Sequence, residues 1–159
     1  MGKIRHMIYT RRHKGKHGFQ FDITETSRTT KDKAGKKPVF RIFHATRKRE
    51  PVGQIYLDYY PKDYFDLYDP DSIKRGDLGI SEFGVDTKYR SKGIGGHLLK
   101  KAERIAKRNK KKRLVLGTGK NNWKAQKLYR KHGFKKINEY DRKLGNGKVE
   151  KSIMMAKEL

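Results

Sequence analysis

A short turn that combines glycines with positive charge is the stretch of this sequence best suited to hold an anion. It reads RSKGIGG, Arg90–Gly96, and leads directly into a segment with helical spacing of apolar residues. The first backbone amides of a helix have no partner inside the helix and carry the positive end of its dipole. A phosphate placed there accepts hydrogen bonds from those amides, and the glycines allow it to approach closely. The turn therefore predicts a pyrophosphate site, to which Arg90 and Lys92 add charge.

Other nucleotide-binding patterns fit the sequence less well. The dinucleotide fingerprint G-x-G-x-x-G requires a glycine where Leu98 stands. A later segment, GTGK at Gly117–Lys120, resembles the end of a P-loop, but it lacks the earlier glycine and the Ser or Thr that should follow the lysine. We interpret that segment as a turn between a strand and a helix. For Arg90–Gly96, an ordinary tight connection remains the alternative.

The surrounding pattern predicts the elements that position the glycine turn. Alternating apolar residues and short apolar runs indicate strands, and an apolar stripe of helical spacing follows the turn. Strands are predicted at 19–26, 39–45, 52–60, 78–85, 113–118, 134–140 and 149–157, and helices at 95–109 and 122–133. The strands at 39–45 and 52–60 are predicted to form a hairpin, and Asn122 to be the N-cap of the second helix. This order predicts an α/β (α+β) fold in which helices pack on a mixed sheet.

Two separate motifs make the sequence similar to the GNAT superfamily of N-acetyltransferases. RSKGIG, Arg90–Gly95, matches the R/Q-x-x-G-x-G/A signature, which in that superfamily lies between a strand and a helix. Asn122–Phe134 matches the pattern N-x-x-A-x-x-L-Y-x-x-x-G-F. The motifs occur in the family's order, and the resemblance is close from Leu78 to about Tyr140. It implies a GNAT-like mixed, mostly antiparallel sheet of about six or seven strands, with splayed central strands.

The resemblance also implies that the cofactor is acetyl-CoA. Its pantetheine arm would lie between the splayed strands and pair with the backbone of Phe83, Gly84 and Val85. Asn122 would contact the cofactor from the second motif. The pyrophosphate would be held by backbone amides of the turn, contributed by Arg90, Ser91, Lys92, Gly93, Ile94, Gly95 and Gly96.

The reaction implied by the resemblance is direct attack of a primary amine, from a protein or another cationic molecule, on the thioester within a ternary complex. Tyr129 matches the family's general acid for the leaving thiolate, and the Val85 amide its oxyanion donor. Glu82 stands where many members have a glutamate that orders a water for deprotonation of the amine. Each side chain has a structural alternative: Tyr129 as a helix residue that covers the core, and Glu82 as a strand carboxylate paired with a cation. Asp86 is a second candidate base, although an aspartate in a turn more often caps local backbone.

The chain carries a large excess of positive charge. Its 159 residues include 42 Lys and Arg against 17 Asp and Glu, a formal net charge of +25. Such a field implies an anionic partner, unless it is only a solvated basic surface. A predicted basic arm at 1–18 precedes a single GNAT-like domain at 19–159, and Lys107–Arg113 forms a second basic cluster. Both suggest binding to nucleic acid or a ribosome, either by an acetyltransferase with tRNA or ribosome-associated substrates or by a non-catalytic protein with this fold.

Composition excludes several kinds of site. The chain has no cysteine, which excludes disulfides, Cys-ligated zinc and an acyl-cysteine intermediate. Its histidines lack metal-ligand spacing, so we expect no metal. There is no apolar run long enough for a signal peptide or a membrane span, so we expect a cytoplasmic protein without membrane contact. Proteins of the resembling family often pair, which makes a homodimer a further expectation.

Two segments depart from the family's pattern. Most members place one or two helices between the first and second strands, but Ser27–Pro38 is polar and has no apolar helical stripe, so those helices are predicted to be missing. Residues 58–77 gather aspartates and aromatic residues in an otherwise basic chain. Two interpretations of this acidic segment are open. It forms the wall for a cationic acceptor, which carboxylates and aromatic faces attract, or it is a solvated loop.

Overall fold

The structure of the chain is a computed structural model that describes residues 9–26, 40–63 and 68–159. The described residues form eight strands and two helices, joined by short turns. These elements are β1 Tyr9–Lys14, β2 Gln20–Thr26, β3 Phe40–Arg47, β4 Glu50–Asp58, β5 Asp77–Val85, α1 Ile94–Arg108, β6 Arg113–Gly119, α2 Trp123–Lys131, β7 Lys135–Lys143 and β8 Val149–Glu158.

The strands form one sheet in the order β1-β2-β3-β4-β5-β6-β8-β7. β5 and β6 pair in parallel, whereas the pairs β1–β2, β2–β3, β3–β4, β6–β8 and β7–β8 are antiparallel. The parallel ladder joins only Asp77–Ile80 to Arg113–Leu116, and both strands continue beyond it. The predicted mixed, mostly antiparallel sheet is therefore confirmed. It has eight strands rather than the predicted six or seven, because β1 is a strand that the sequence pattern did not separate from the basic arm.

The chain forms two compact units, and β5 and α1 contribute to both. The first unit contains the described residues of Met1–Tyr59 together with Glu82–Ala102. The second unit contains the described residues of Tyr60–Ser81 together with Glu103–Leu159. The glycine turn lies in the first unit, and the second family motif lies in the second.

The core of the first unit comes from alternate residues of its strands and from one stripe of α1. Because successive side chains of a strand point to opposite faces, Phe21 and Ile23 of β2 are buried while Asp22 between them is not. α1 supplies residues spaced by three or four positions, which fall on one side of a helix. These are Ile94, Leu98, Leu99 and Ala102.

The core of the second unit is built on β6 and β8, with Leu114, Leu116 and Met154 fully buried. α1 ends in this unit with a Schellman motif. The N–H of Lys111 donates to the carbonyl of Ala106 at 2.9 Å, and the N–H of Lys110 to that of Lys107 at 3.0 Å. The motif places Lys110 in a left-handed conformation, with φ of 55°.

The acidic segment has structural roles at two of its aspartates, so neither interpretation of it holds there. Asp77 is buried against Arg113, and Asp69 caps the turn at Pro70–Ser72 while it also accepts a hydrogen bond from Asn138. Burial alone would raise the pKa of Asp69, but the hydrogen bonds to its carboxylate outweigh burial and lower the pKa. Both partner residues lie far away in sequence, which is why the local pattern did not reveal them. Residues 64–67 of this segment lie outside the described residues.

Two other predictions also concern residues that the structure does not describe. The predicted loss of helices concerns Ser27–Pro38, which lies outside the described residues, as do residues 1–8 of the predicted basic arm. Within the described part of the chain, neither helix is long and apolar enough to cross a bilayer.

Candidate functional site

The predicted anion turn lies between β5 and α1, in the first unit. A single 3-10 turn, Thr87–Tyr89, precedes it, and the Asp86 carboxylate caps this 3-10 turn by accepting the Lys88 N–H at 3.0 Å. Asp86 is therefore the local cap that its turn position favoured. Arg90 folds back across the turn, and its Nε donates to the Val85 carbonyl oxygen at 3.1 Å.

α1 begins at Ile94, one residue before the predicted start. The His97 N–H donates to the Gly93 carbonyl oxygen at 3.2 Å and closes the first helical turn. The amides of Ile94, Gly95 and Gly96 thus occupy the first three helical positions, which have no acceptor inside the helix. Gly93 has φ of 91°, a conformation that glycine adopts without strain. The positive end of the helix dipole therefore lies where the sequence predicts it.

The hairpin of β1 and β2 supports this turn, which the sequence did not predict. The N–H of Lys16 donates to the carbonyl oxygen of Lys92 at 3.0 Å. Gly15 approaches so closely that a Cβ there would lie 2.2 Å from the same oxygen. Any larger residue at position 15 would therefore displace the turn. The only sequence signal was a glycine within a basic run, because the contact joins segments that are distant in the chain.

Aromatic rings also hold the β1–β2 hairpin against the start of α1. His13 stacks on Phe21 with 5.6 Å between ring centroids, and His97 meets Phe21 edge-on at 5.3 Å. The His97 Nδ1 atom lies 3.0 Å from the Gly93 carbonyl oxygen. These contacts hold the hairpin on the first helical turn, where the unpaired amides lie.

The predicted strand edge, Phe83–Val85, ends β5 and is half-buried. On one side, Gly53 of β4 approaches so closely that a Cβ there would lie 3.0 Å from the Gly84 carbonyl oxygen. A Cβ built on Gly84 itself would meet no described atom within 4 Å. The face of the sheet therefore has open space at Gly84.

Glu82, the predicted base, is exposed on β5, and its Oε1 accepts a hydrogen bond from the Gln54 side-chain amide. The structural alternative expected a cation as its partner, and the partner is instead a neutral amide on β4. Gln54 was not foreseen, because the strand pattern gives no cross-strand register.

In the second unit, Asn122 is the N-cap of α2, as predicted. Its side-chain oxygen accepts the Ala125 N–H at 3.2 Å. Gln126 is buried and donates to the carbonyl oxygens of Gly119 at 3.2 Å and Lys120 at 2.8 Å. Gly117–Gly119 are the last residues of β6, so only Lys120 of the GTGK segment lies in the predicted strand-to-helix turn. Gln126 was not predicted, because nothing in a basic helix marks a glutamine as buried.

Tyr129 lies on α2 and is only 6% exposed. Its ring centroid is 5.9 Å from that of Phe134, so it does cover the core. Burial raises the pKa of Tyr129 to about 12. The hydroxyl therefore keeps its proton at neutral pH, which is the state that a general acid requires.

Comparison with known proteins decides the family. Residues 8–134 match the model of the acetyltransferase (GNAT) family, which is well over half of the chain. The chain belongs to the GNAT family.

Individual relatives of this GNAT chain were found in sequence and in structure. It is 33% identical over 97 residues to the spermine/spermidine N(1)-acetyltransferase of Bacillus subtilis (strain 168), a match that covers 58% of this chain and 63% of the relative. The putative streptothricin acetyltransferase from Bacillus anthracis str. Ames, solved in complex with acetyl coenzyme A, is similar with a TM-score of 0.59 and 27% identity over 78% of this chain and 65% of that one.

More distant structures share the fold alone. The ribosomal-protein-alanine N-acetyltransferase from Brucella melitensis has a TM-score of 0.59 and 24% identity, over 76% of this chain and 69% of that one. The GNAT chain therefore spans less than two thirds of its curated relative but shares one architecture with a range of acetyltransferases.

The predicted basic cluster of this GNAT chain, Lys107–Arg113, divides into engaged and exposed cations. Arg113 is buried with Asp77, because it is the first residue of β6 and its side chain points inward. Lys107 pairs with Glu103 at 2.8 Å. The prediction that all six cations of this cluster could bind a polyanion is therefore wrong for Arg113. The cations that are exposed without a salt bridge among the described residues are Arg108, Lys110 and Lys112.

Proposed function

We propose that this GNAT chain is an N-acetyltransferase that moves the acetyl group of acetyl-CoA to a primary amine. The observation that carries the proposal is the start of α1, where the amides of Ile94, Gly95 and Gly96 lack helical acceptors. Arg90 and Lys92 add positive charge beside them. A pyrophosphate would satisfy those amides and interact favourably with the helix dipole. The B. anthracis relative in complex with acetyl coenzyme A supports the choice of cofactor.

Other described residues also fit acetyl-CoA. β5 continues to Val85 beyond Ile80, where its ladder with β6 ends, so the backbone of Phe83–Val85 would pair with the pantetheine amides. Left-handed backbone at Ser91 and Gly93 turns the chain sharply before the helix. Asn122 would contact the cofactor through its side-chain nitrogen, since its oxygen is used in the helix cap.

Three groups of this chain would carry the transfer. Bound acetyl-CoA supplies the acetyl group as an activated thioester. Glu82 takes a proton from the attacking amine through a water, because an amine of ordinary pKa near ~10.4 is mostly protonated at neutral pH. The Val85 N–H donates to the thioester carbonyl oxygen as charge develops there. As the N–C bond forms, the amine nitrogen gives up a second proton, which passes to solvent. As the C–S bond breaks, the Tyr129 hydroxyl gives its proton to the departing sulfur, and solvent restores the hydroxyl proton.

The acceptor that we propose to test first is a polyamine, with a lysine-containing peptide second. The name of the B. subtilis relative supports the polyamine. The net charge of +25 opposes a cationic acceptor, but salt screens charges more than about 10 Å away. The local carboxylate of Glu82 would then matter more to a bound amine than the distant lysines.

The proposal is tested by calorimetric titration with acetyl-CoA, followed by mass spectrometry of spermidine and a lysine peptide after incubation. In the Gly95→Asp variant, an aspartate in the first turn favours the helix but repels phosphate, so affinity for acetyl-CoA should fall by about a hundredfold. Gly145→Asp is the matched control, because a Cβ at Gly145 meets no described atom within 4 Å. If wild type does not bind at millimolar acetyl-CoA, or if both variants weaken binding equally, the proposal is wrong.

A second candidate function is the binding of a nucleic acid, alone or together with acetylation. The exposed cations Arg108, Lys110 and Lys112 favour it, with those of β1. Binding of a short RNA should weaken steeply as salt rises, because bound counterions are released. The Arg108→Gln/Lys112→Gln variant should lower the slope of that dependence. If affinity does not change with salt, this candidate is rejected.

A further inference from the structure

We propose that a cavity between two hairpin tips of the first unit binds a small polyphosphate anion, at a site separate from the amides at the start of α1. The cavity has a volume of about 600 Å³, which suits a small molecule. The β1–β2 turn, the β3–β4 turn and Lys92 form its walls, and none of Ile94, Gly95 and Gly96 lines it. Among the described lining residues, one carboxylate, Asp22, faces six cations, which are Arg12, Lys16, Arg47, Lys48, Arg49 and Lys92.

Most of these cations have no counter-charge among the residues that the structure describes. Arg12 pairs with Asp22, with 3.6 Å from Nε to Oδ1, and the Arg47 guanidinium lies over the Phe19 ring, 4.3 Å from its centroid. Like charges gathered around one cavity repel each other and disfavour the folded chain. An anion with several negative charges would relieve this repulsion far better than a monoanion. Four of the cations form no salt bridge within the described part of the chain, namely Lys16, Lys48, Arg49 and Lys92.

The β3–β4 turn holds two of these cations in an unfavourable backbone conformation. The strand register pairs Arg47 with Glu50, so Lys48 and Arg49 are the two turn residues, with φ of 50° and 71°. Two left-handed residues in succession favour Asn-Gly, and side chains such as those of lysine and arginine oppose this conformation. Strained residues of this kind concentrate at ligand sites. We infer that lysine and arginine occur at these two positions because their charge is needed there, since Asn-Gly would suit the turn of the hairpin better.

The opposite wall of the cavity is held in place. The β1–β2 turn is attached to the glycine turn by the hydrogen bond from Lys16 to Lys92 and by the close approach of Gly15. One face of the Phe19 ring is already covered by Arg47, so that ring is not a free stacking platform. Charge rather than a base would therefore be recognised, and the volume of the cavity favours a small polyphosphate over a nucleic acid.

The test uses the full chain and inorganic tripolyphosphate as the probe, with binding measured by calorimetry. The Lys48→Asn/Arg49→Gly variant removes both charges and installs the favoured turn. It should raise the melting temperature and weaken tripolyphosphate binding by about tenfold or more. Lys143→Gln/Lys148→Gln removes the same charge from exposed positions in the second unit that do not line the cavity, and it should bind like wild type.

A second arm separates this cavity from the cofactor site. Tripolyphosphate should still bind when the protein is saturated with coenzyme A, and coenzyme A should bind the Lys48→Asn/Arg49→Gly variant within about twofold of wild type. Loss of tripolyphosphate binding under coenzyme A would overturn the proposal, because the two would then share one site. Equal tripolyphosphate binding by both double variants would overturn the proposal. It would also be overturned if Lys48 and Arg49 were needed for binding of a short RNA while tripolyphosphate did not bind.

Discussion

Arg113 holds the buried Asp77 carboxylate by two hydrogen bonds, from Nε to Oδ1 at 2.9 Å and from a terminal nitrogen to Oδ2 at 2.7 Å. The same guanidinium donates to the Ser72 carbonyl oxygen at 2.9 Å, and the Lys74 N–H donates to Asp77 Oδ2 at 2.8 Å. The hydrogen bonds to Asp77 raise the pKa of Arg113 above its usual value, against the effect of burial. The pair thus joins β5 to β6 where their parallel ladder begins.

Replacement of Asp77 by asparagine should destabilise the protein by about 3–5 kcal/mol, because Arg113 would keep a buried charge without a counter-ion. Urea unfolding followed by circular dichroism measures the change. Asp141→Asn is the control, since it breaks a pair with Lys151 in which both side chains are exposed, and it should cost less than about 1 kcal/mol. Equal losses in the free energy of unfolding would show that the buried pair stabilises the protein no more than the exposed pair does.

Tyr129→Phe should lower kcat by about a hundredfold, because the departing thiolate would lose its proton donor. The dissociation constant of acetyl-CoA should hardly change. Tyr140→Phe is the matched control, because burial also raises the pKa of Tyr140 to about 12 but we assign it no role in transfer. Steady-state kinetics with calorimetry separates the two effects, and an unchanged kcat would remove Tyr129 as the acid.

Tyr129 also predicts how stability depends on pH. Burial raises its pKa from 10.0 to about 12, so the folded state holds the phenol proton more tightly than the unfolded state does. This contribution is fully present below pH 10 and is lost as the pH rises from 10 to 12. The difference of two units corresponds to about 3 kcal/mol.

The measurement is urea unfolding of wild type and Tyr129→Phe at several pH values across that window. Lysine titration affects both proteins alike, so the difference between them isolates the phenol. Wild type should lose more stability than the variant, and parallel curves would contradict the assignment.

Glu82→Gln should lower kcat/KM by about a hundredfold near neutral pH. The rate should recover as the pH approaches the pKa of the free amine, since the acceptor then loses its proton without help. The fold should persist, because Gln54 can bond an amide as well as a carboxylate. Glu139→Gln, an exposed carboxylate of the second unit, serves as the control. A pH–rate profile like that of wild type would exclude Glu82 as the base.

Lys110→Gly should stabilise the protein by about 0.5–1 kcal/mol, because glycine adopts the left-handed conformation that closes α1 without strain. Lys100→Gly, at an exposed position inside the same helix, should destabilise it by about 1 kcal/mol. Thermal unfolding measures whether Lys110→Gly gains stability and Lys100→Gly loses it. A loss of stability in Lys110→Gly would mean that the lysine side chain has a stabilising contact.

Local signals in the sequence were sufficient for most of the fold and for half of the candidate site. The glycine turn, the Asn122 cap and the β3–β4 hairpin each depend on neighbours within a few residues, and each lies where it was predicted. β1 was less visible, because its exposed cations hide the alternation that marks a strand.

Interactions between distant segments were the part that could not be predicted. In the sequence, Arg113 looks like one more surface cation. In the structure, its position at the start of β6 places it against Asp77. Asp69, which caps a turn, likewise depends on Asn138, which lies on β7. A single sequence gives no distances between segments, so a charged residue that is buried by a remote partner looks the same as a solvated one.

The close fit between Gly15 and the Lys92 oxygen has a practical bearing on protein engineering. Removing the residues before Phe19 to reduce the charge of the chain would keep both family motifs. It would also remove Gly15 and Lys16, which contact Lys92 and support the glycine turn. A shortened protein of that kind should crystallise or express as a recognisable acetyltransferase domain and still hold its cofactor poorly. In this GNAT chain, the β1–β2 turn before Phe19 therefore belongs to the structure that supports the glycine turn.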